Sequence, residues 1–104
     1  MKMHNPPHPG LTIRDDILPE LKVSVGAAAE CLRLHRTTFS RVINGRAAIT
    51  PDLAIRLSQW LDIDAEQWLR LQLKFDLWNA RKTCQVKIRR FKASTAMPMI
   101  TQIS

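Results

Sequence analysis

The chain has 104 residues, of which 45% are hydrophobic, a size that forms one small domain and excludes a two-domain enzyme. Sixteen basic against nine acidic residues give a net charge of +7 and a pI near 10.3, which favours a polyanionic partner, nucleic acid first. No apolar run reaches the ~18 residues of a membrane span, and the N-terminus lacks the apolar stretch of a secretory signal. We therefore expect a cytoplasmic protein without membrane association.

Positive charge is concentrated in two regions. All nine acidic residues precede residue 77, whereas six basic residues follow it without any acid. A second acid-free window, residues 31–51, carries Arg33, Arg36, Arg41 and Arg46 within a nearly neutral body. The basic residues of the C-terminal region are Arg81, Lys82, Lys87, Arg89, Arg90 and Lys92.

The first two helices are predicted from their boundaries. Residues 5–10 are rich in proline and are expected to be non-helical, and a short amphipathic helix follows over residues 11–18. Pro19 is expected to end or kink that helix, because proline lacks an amide donor. Ser24 is expected to cap a second helix over residues 25–32, whose small side chains permit close approach of another helix.

A third helix is predicted over residues 36–43, and Asn44-Gly45 should end it, because these residue types adopt the left-handed conformation. On a helical wheel one narrow arc holds Phe39, Val42 and Ile43, which predicts a core face. The opposite, polar face is formed by Thr37, Arg41 and Asn44, with Ser40 at its flank.

Two further helices complete an all-α prediction with five helices. Thr50-Pro51 is expected to open a helix over residues 52–61, and Asp64 with Gln67 resembles a capping box for a long helix to about Lys82. Weak alternation over residues 84–91 favours an edge strand, and the last dozen residues are expected to be disordered. The expected core positions of these two helices are Leu53, Leu57, Trp60, Leu61, Trp68, Leu69, Leu71, Phe75 and Trp78.

The polar face of the third helix suits the DNA major groove. Short side chains allow close approach to base edges, and an arginine such as Arg41 can donate two hydrogen bonds to guanine. Arg36 lies in the first turn, and at Gly45-Arg46 a backbone amide and a cation are expected to meet phosphate. The alternative is a solvated amphipathic helix, which a tight turn between two short helices and the absence of acid disfavour.

The order of these elements resembles the Xre/Cro-type (lambda-repressor-like) helix-turn-helix domain and, more closely, the HigA family (VapI-like) of type II antitoxins. The resemblance covers residues 8–82. It implies that the protein neutralises a RelE-like, mRNA-cleaving toxin of the HigB type and represses its own operon as a homodimer on double-stranded operator DNA. The motifs that carry it are His8-Pro9-Gly10, Phe39-Ser40-Arg41-Val42-Ile43-Asn44-Gly45-Arg46, Ala48-Ile49-Thr50-Pro51, Trp68-Leu69-Arg70-Leu71-Gln72 and Asp76-Leu77.

The resemblance also implies a division of the chain and a set of DNA-binding residues. Residues 1–10 form an N-terminal extension, residues 11–82 the helix-turn-helix domain and residues 83–104 a basic, flexible tail. Backbone amides at the start of the second helix should add phosphate contacts near Ser24. The base-reading positions fall on Arg36, Thr37, Ser40 and Arg41, and the positions that hold the phosphate backbone on Thr38, Asn44 and Arg46.

Two residues depart from the family pattern. Arg33 stands at a turn position that is commonly glycine, where a positive φ costs a non-glycine residue about 1 kcal/mol. His35 stands where serine or threonine often caps the recognition helix, and imidazole caps less well. These departures support one alternative, a protein-interaction module with a degenerate helix-turn-helix. A stand-alone Xre-type repressor without a toxin is the other.

Catalysis, cofactors and metals are not predicted. His4 and His8 cannot approach each other through a helix, because two prolines separate them, and no glycine-rich phosphate loop is present. Paired carboxylates such as Asp15-Asp16 read as solvated groups at helix ends. Cys31 and Cys84 are expected to be reduced thiols, since free cysteine usually behaves as a small apolar side chain.

Partner surfaces other than DNA are predicted less specifically. The aromatic-rich last helix, over residues 65–82, can form a dimer seam. The basic tail can add phosphate contacts, fold against a partner or remain solvated. Because a toxin that acts on RNA would itself be basic, its contacts are expected elsewhere, on the acidic first helix around Asp15, Asp16 and Glu20.

Overall fold

The structure, a computed structural model, describes residues 5–92. Within this range the chain forms five helices and no strand, which confirms the all-α prediction. Helix α1 spans residues 9–21 and consists of three consecutive segments, Pro9–Thr12, Ile13–Ile17 and Leu18–Leu21. The other four helices are α2 (Val25–Cys31), α3 (Arg36–Ile43), α4 (Pro51–Leu61) and α5 (Ala65–Thr83).

Helix α1 passes through Pro19 and ends at Leu21, so of the two outcomes expected at Pro19, an end or a kink, the end is not observed. The preceding segment, Ile13–Ile17, is π-helical, and the amide of Leu18 donates to the carbonyl of Ile13, five residues back. A proline inside a regular α-helix lacks one bond to the carbonyl four residues back and clashes with it. In the π-helical segment the amides bond to carbonyls five residues back instead of four, so the helix tolerates the proline.

The start of α1 is set by His8, which the sequence placed in a non-helical segment together with Pro9 and Gly10. The Nδ1 atom of His8 accepts a hydrogen bond from the amide of Gly10 at 2.8 Å and caps the helix. Pro9 stands in the first turn, where a missing amide costs nothing. The helix therefore begins two residues earlier than predicted.

Helices α2 and α3 form the predicted helix-turn-helix. Ser24 caps α2, its Oγ accepting from the amide of Ala27 at 3.1 Å. At the other end, the amide of Leu34 donates to the carbonyl of Ala29 at 2.9 Å. This is a Schellman turn, and its left-handed position is held by Arg33 at φ 59°.

Arg56 stabilises the turn between the two helices from outside. Its Nη1 donates to the carbonyls of Leu32 and Arg33, each at 2.9 Å, and its Nε pairs with Asp52 at 3.0 Å. The last carbonyls of a helix lack partners within the helix, so an arginine from α4 satisfies acceptors that would otherwise need water.

Helix α3 begins at Arg36 and ends at Ile43, as predicted. Gly45 follows with φ 76°, and its amide donates to the carbonyl of Val42 at 3.0 Å. The amide of Arg46 donates to the carbonyl of Arg41 at 2.8 Å, which completes a second Schellman turn.

The last two helices agree with the prediction except at their caps and beyond α5. Thr50 caps α4 through its Oγ1, but the side chain of Asp64 makes no capping bond, so the predicted capping box is wrong. Residues 84–92 are exposed and form no strand, which overturns the edge-strand prediction. The last dozen residues lie outside the described part of the chain.

Side chains from all five helices form the core, and Phe39, Val42 and Ile43 are all buried in it as predicted. Trp68 is buried, whereas Trp60 and Trp78 are only half-buried. Trp60 packs against the edge of the core, and Trp78 lines a groove beside the N-terminal prolines. The other fully apolar core positions are Ile13, Leu18, Ala28, Ala29, Leu32, Ile49, Leu53, Ala54 and Leu57.

Buried polar contacts attach α5 to the loop that follows α3. Gln72 is 5% exposed; its Oε1 accepts from the amide of Ile49 and its Nε2 donates to Asp76, both at 2.9 Å. The two cysteines are free and exposed, so neither Cys31 nor Cys84 packs as a small apolar side chain in the core.

Candidate nucleic-acid interface

Helix α3 presents an exposed polar face on the side opposite its core residues. Thr37, Thr38 and Arg41 are exposed and Ser40 is half-buried, while the side chains between them fill the core. Arg36 is exposed in the first turn. Because short side chains surround the long arginines, the helix axis can approach a groove closely while the guanidinium groups reach ahead of it.

The start of α2 lies beside the start of α3. A Cβ built on Gly26 would lie 4.0 Å from Cδ of Arg36, which places the first turn of α2 next to that arginine. Ser24 engages the amide of Ala27, and the remaining first-turn amides belong to the donors that every helix start leaves unsatisfied. The two predicted contact regions therefore share one edge of the molecule.

The turn after α3 differs from the sequence expectation. The amides of Gly45 and Arg46 both donate to carbonyls of α3, so the predicted backbone contact to phosphate is wrong for these two groups. The side chain of Arg46 is exposed and remains able to meet a phosphate.

Asn44 has protein partners on both ends of its amide group. Its Nδ2 donates to the carbonyl of Ser40 at 2.8 Å and to the Oγ of Ser40 at 3.3 Å. Its Oδ1 accepts from Nη1 of Arg14 at 3.2 Å. Sequence reasoning missed Arg14, which stands on α1, 30 residues away in the chain.

Arg14 also forms a two-pronged ion pair with its neighbour. Its Nε and Nη2 lie 2.8 and 3.1 Å from the two carboxylate oxygens of Asp15. The hydrogen bond from Arg14 holds the pKa of the Asp15 carboxyl below its ordinary value, and the same bond raises the pKa of Arg14. Both groups are solvent-exposed, so the pair orients the guanidinium more than it stabilises the fold.

The side chain of His8 lies beside Gly45, in the turn that ends the recognition helix. His8 is 4% exposed, and its ring meets Phe75 of α5 edge-on, with centroids 4.9 Å apart. Burial lowers the pKa of His8, against smaller opposing effects of the Ala47 backbone and the Asp76 carboxylate. The neutral ring is therefore favoured, as its acceptor role toward Gly10 requires.

The two residues that depart from the family pattern behave as their chemistry predicts. His35 occupies the capping position of α3 with extended backbone, but its side chain makes no capping hydrogen bond. Arg33 adopts the positive φ of the glycine it replaces, and the turn keeps its Schellman bonds. The helix-turn-helix geometry thus survives both substitutions.

Helix α5 carries apolar side chains that the described part of the chain leaves uncovered. Leu73 and Leu77, one helical turn apart, are 56% and 41% exposed. A groove of about 670 Å³ lies beside Leu77, between α5 and the N-terminal prolines. It is lined by Asn5, Pro6, Pro7, Pro9, Thr12, Leu71, Lys74, Leu77, Trp78, Arg81 and Lys82.

Residues 5–92 contain neither a membrane-spanning helix nor a cluster of metal ligands. None of the helices in that range is both long and apolar enough to cross a membrane. The same range contains no group of three or more metal-ligating side chains, and His8, one member of the histidine pair considered above, serves as a helix cap.

Comparisons with known proteins point to DNA-binding regulators. No protein-family model matches the chain. Virulence-associated protein A′ of Dichelobacter nodosus is 40% identical over 89 residues, which cover 85% of this chain and 76% of the relative. Antitoxin HigA-1 of Vibrio cholerae is 34% identical over 76 residues, covering 73% and 71%.

Among solved structures, the fold is similar to that of the Pseudomonas aeruginosa antitoxin HigA, which was solved with the higBA promoter. The two chains share 34% sequence identity and a TM-score of 0.72, over 74% of this chain and 84% of the other. The similarity thus includes the fold as well as the sequence, and it spans most of both molecules.

Proposed function

Because the chain belongs to the HigA- and VapI-like family of helix-turn-helix antitoxins and regulators, we propose that it binds operator DNA as the autorepressor of its own operon and neutralises a cognate toxin. The toxin expected from this family is RelE-like and cleaves mRNA. We propose that the protein acts in the cytoplasm, because the proposed binding to operator DNA takes place there. No step of the proposed role requires catalysis.

The observation that carries the proposal is the exposed, acid-free face of α3. Arg36, Thr37, Ser40 and Arg41 are proposed to read base edges in the major groove, with Arg41 able to pair with guanine O6 and N7. The phosphate backbone is proposed to be held from both ends of the helix-turn-helix. Its contacts are proposed to be Thr38, Arg46 and the α2 start near Ser24. The expected phosphate contact of Asn44 is not part of this proposal, because its side-chain amide is already engaged by Ser40 and Arg14.

A homodimer is proposed to form through residues 65–82. The exposed pair Leu73 and Leu77 forms an apolar stripe on α5 at helical spacing, which is costly to leave in water. A two-fold dimer would place two copies of α3 in successive major grooves, about 34 Å apart on a palindromic operator.

The toxin is proposed to bind away from the DNA face. On α1, Asp16 and Glu20 are exposed and unpaired within the described residues, whereas Asp15 already pairs with Arg14. A basic, RNA-cleaving toxin would complement this acidic surface.

The domain limits are proposed as residues 1–10 for the extension, 11–82 for the helix-turn-helix domain and 83–104 for the tail. The helical body begins at Pro9 and ends at Thr83, which supports limits close to these. The basic side chains at residues 84–92 are exposed and are proposed to add sequence-independent phosphate contacts.

Promoter binding tests the repressor role. Purified protein is titrated into a labelled fragment of its own promoter, with scrambled competitor, at about 50 and about 200 mM salt, where phosphate-driven binding weakens steeply. We expect preference for the promoter to persist at the higher salt. Loss of all preference there would favour an interaction module with a degenerate helix-turn-helix.

Toxin neutralisation needs a separate test. The product of the gene adjacent to this one is expressed alone and together with the protein, and growth and co-purification are measured. We expect growth arrest by the neighbour alone, relief by co-expression and a stable complex. If the product of the adjacent gene neither arrests growth nor binds this protein, the result would favour the stand-alone repressor.

A further inference from the structure

A chain of hydrogen bonds connects α1 to the base-reading face of α3. The carboxylate of Asp15 holds Arg14, whose Nη1 donates to Oδ1 of Asn44 at 3.2 Å, and Nδ2 of Asn44 donates to the carbonyl and the Oγ of Ser40 at 2.8 and 3.3 Å. Of the four residues joined by these hydrogen bonds, only Ser40 is a proposed base-reading residue. Asp15 and Arg14 lie on α1, and Asn44 follows the end of α3.

The orientation of the Asn44 amide is dictated from both sides. The guanidinium of Arg14 has donors only, so the atom facing it must be the oxygen. The backbone carbonyl of Ser40 is an acceptor only, so the atom facing it must be the nitrogen. A rotated amide would oppose donor to donor and acceptor to acceptor.

This orientation of the Asn44 amide determines which hydrogen-bonding groups of the Ser40 hydroxyl remain available to DNA. A hydroxyl carries one donor hydrogen and two lone pairs, and Nδ2 of Asn44 occupies one lone pair. Within residues 5–92 the Ser40 hydroxyl donates no hydrogen bond, and the side chain is half-buried at the edge of the exposed face. The hydrogen is therefore free to point outward.

We propose that Arg14 is a positioning residue for sequence recognition: through Asn44 it makes Ser40 a hydrogen-bond donor to a base edge in the major groove. The proposal rests on the DNA binding proposed above. Guanine, adenine and thymine each present an acceptor in that groove, whereas cytosine presents only an amino donor. Ser40 should therefore discriminate against cytosine at the base it meets.

The test is a panel of promoter fragments that each carry one base-pair change, titrated with the wild type and three variants. Ser40→Ala identifies the base pair that Ser40 reads. At that base pair the wild type should prefer the promoter over the changed fragment by roughly five-fold, as expected for one hydrogen bond, and the variant should show no preference. Arg14→Ala should reduce the preference at that same base pair and leave the pair read by Arg41 unchanged. Asn44→Asp should reverse the preference at the Ser40 base pair. A carboxylate at position 44 accepts the hydrogen of the Ser40 hydroxyl, so Ser40 can then only accept a hydrogen bond from DNA, as cytosine would donate.

Matched controls separate this role from a simple phosphate contact. Arg46→Ala removes the same charge without touching the hydrogen-bond chain and should weaken all fragments alike. Arg14→Lys retains a donor toward Asn44 and should restore part of the preference. The proposal is overturned if Arg14→Ala lowers affinity equally on every fragment with the preference at the Ser40 base pair intact. A wild type with no promoter preference would instead overturn the DNA-binding function itself.

A second measurement needs no DNA. In nuclear magnetic resonance spectra, the side-chain amide protons of Asn44 should shift and exchange faster with water in Arg14→Ala than in the wild type, because one anchor of the amide is lost. The Arg46→Ala spectrum should leave those signals in place. Unchanged Asn44 signals in Arg14→Ala would show that Arg14 does not orient the amide.

Discussion

At Gly10 the backbone of α1 is in close contact with the recognition helix, and Gly10→Ala should destabilise the protein. An ideal Cβ there would lie 1.9 Å from the carbonyl oxygen and 2.8 Å from the carbonyl carbon of Val42. Real Cβ contacts essentially never fall below 3.0 Å, so the two backbones must separate by about 1 Å. Overpacking of this kind costs about 1–3 kcal/mol, and a backbone obstacle favours the upper end.

The assay is thermal and urea unfolding followed by circular dichroism. A loss of about 2–3 kcal/mol should lower the Tm by about 10 °C or more for a domain of this size. Gly26→Ala is the control, because the nearest atom to its new methyl group lies 4.0 Å away and alanine favours a helix, so stability should be unchanged or rise by up to ~1 kcal/mol. Equal stability of Gly10→Ala and wild type would refute the close approach of α1 and α3.

Three further predictions follow from single residues. Arg33→Gly should raise the free energy of unfolding by up to about 1 kcal/mol in urea titrations, because glycine adopts φ 59° without strain; a loss would contradict it. Arg41→Ala should reduce discrimination between operator and scrambled DNA, whereas Arg46→Ala should weaken both and flatten the salt dependence; equal loss on every sequence for both variants would contradict the assignment. Burial lowers the pKa of His8, so its stabilisation is present above the ordinary value of 6.5 and is lost as the pH falls through 6.5 toward the lower folded-state pKa. Urea unfolding of wild type and His8→Asn at pH 7.5 and about 5.5 should show a smaller pH effect in the variant.

Most of the fold followed from local sequence signals. Ser24, Thr50 and Gly45 specify helix ends through caps and a positive φ that few residues provide, so the ends they mark for α2, α3 and α4 were predicted well. The helix does not end at Pro19 as the sequence suggested, because a π-helical segment accommodates the proline, and no local sequence pattern predicts such a segment. Asp64 misled because a capping residue type does not guarantee a capping bond.

The candidate site was predictable only in part. The exposed face of α3 follows from its helical periodicity, since the apolar arc fixes which side chains remain outside. Arg14 could not be found this way, because its contact with Asn44 depends on how α1 crosses α3, and a neighbouring aspartate makes it resemble an ordinary surface pair. The engaged amides of Gly45 and Arg46 are likewise a property of the turn geometry rather than of residue type.

Two copies of α3 are proposed to enter successive major grooves of the protein's own operator. Methylation interference at guanine N7 probes this arrangement, because N7 lies in the major groove. We predict two clusters of interfering guanines on the promoter, centred about one helical turn, or ~10 base pairs, apart. Interference confined to one cluster would contradict the dimer, and specific binding without any N7 interference would contradict recognition by α3.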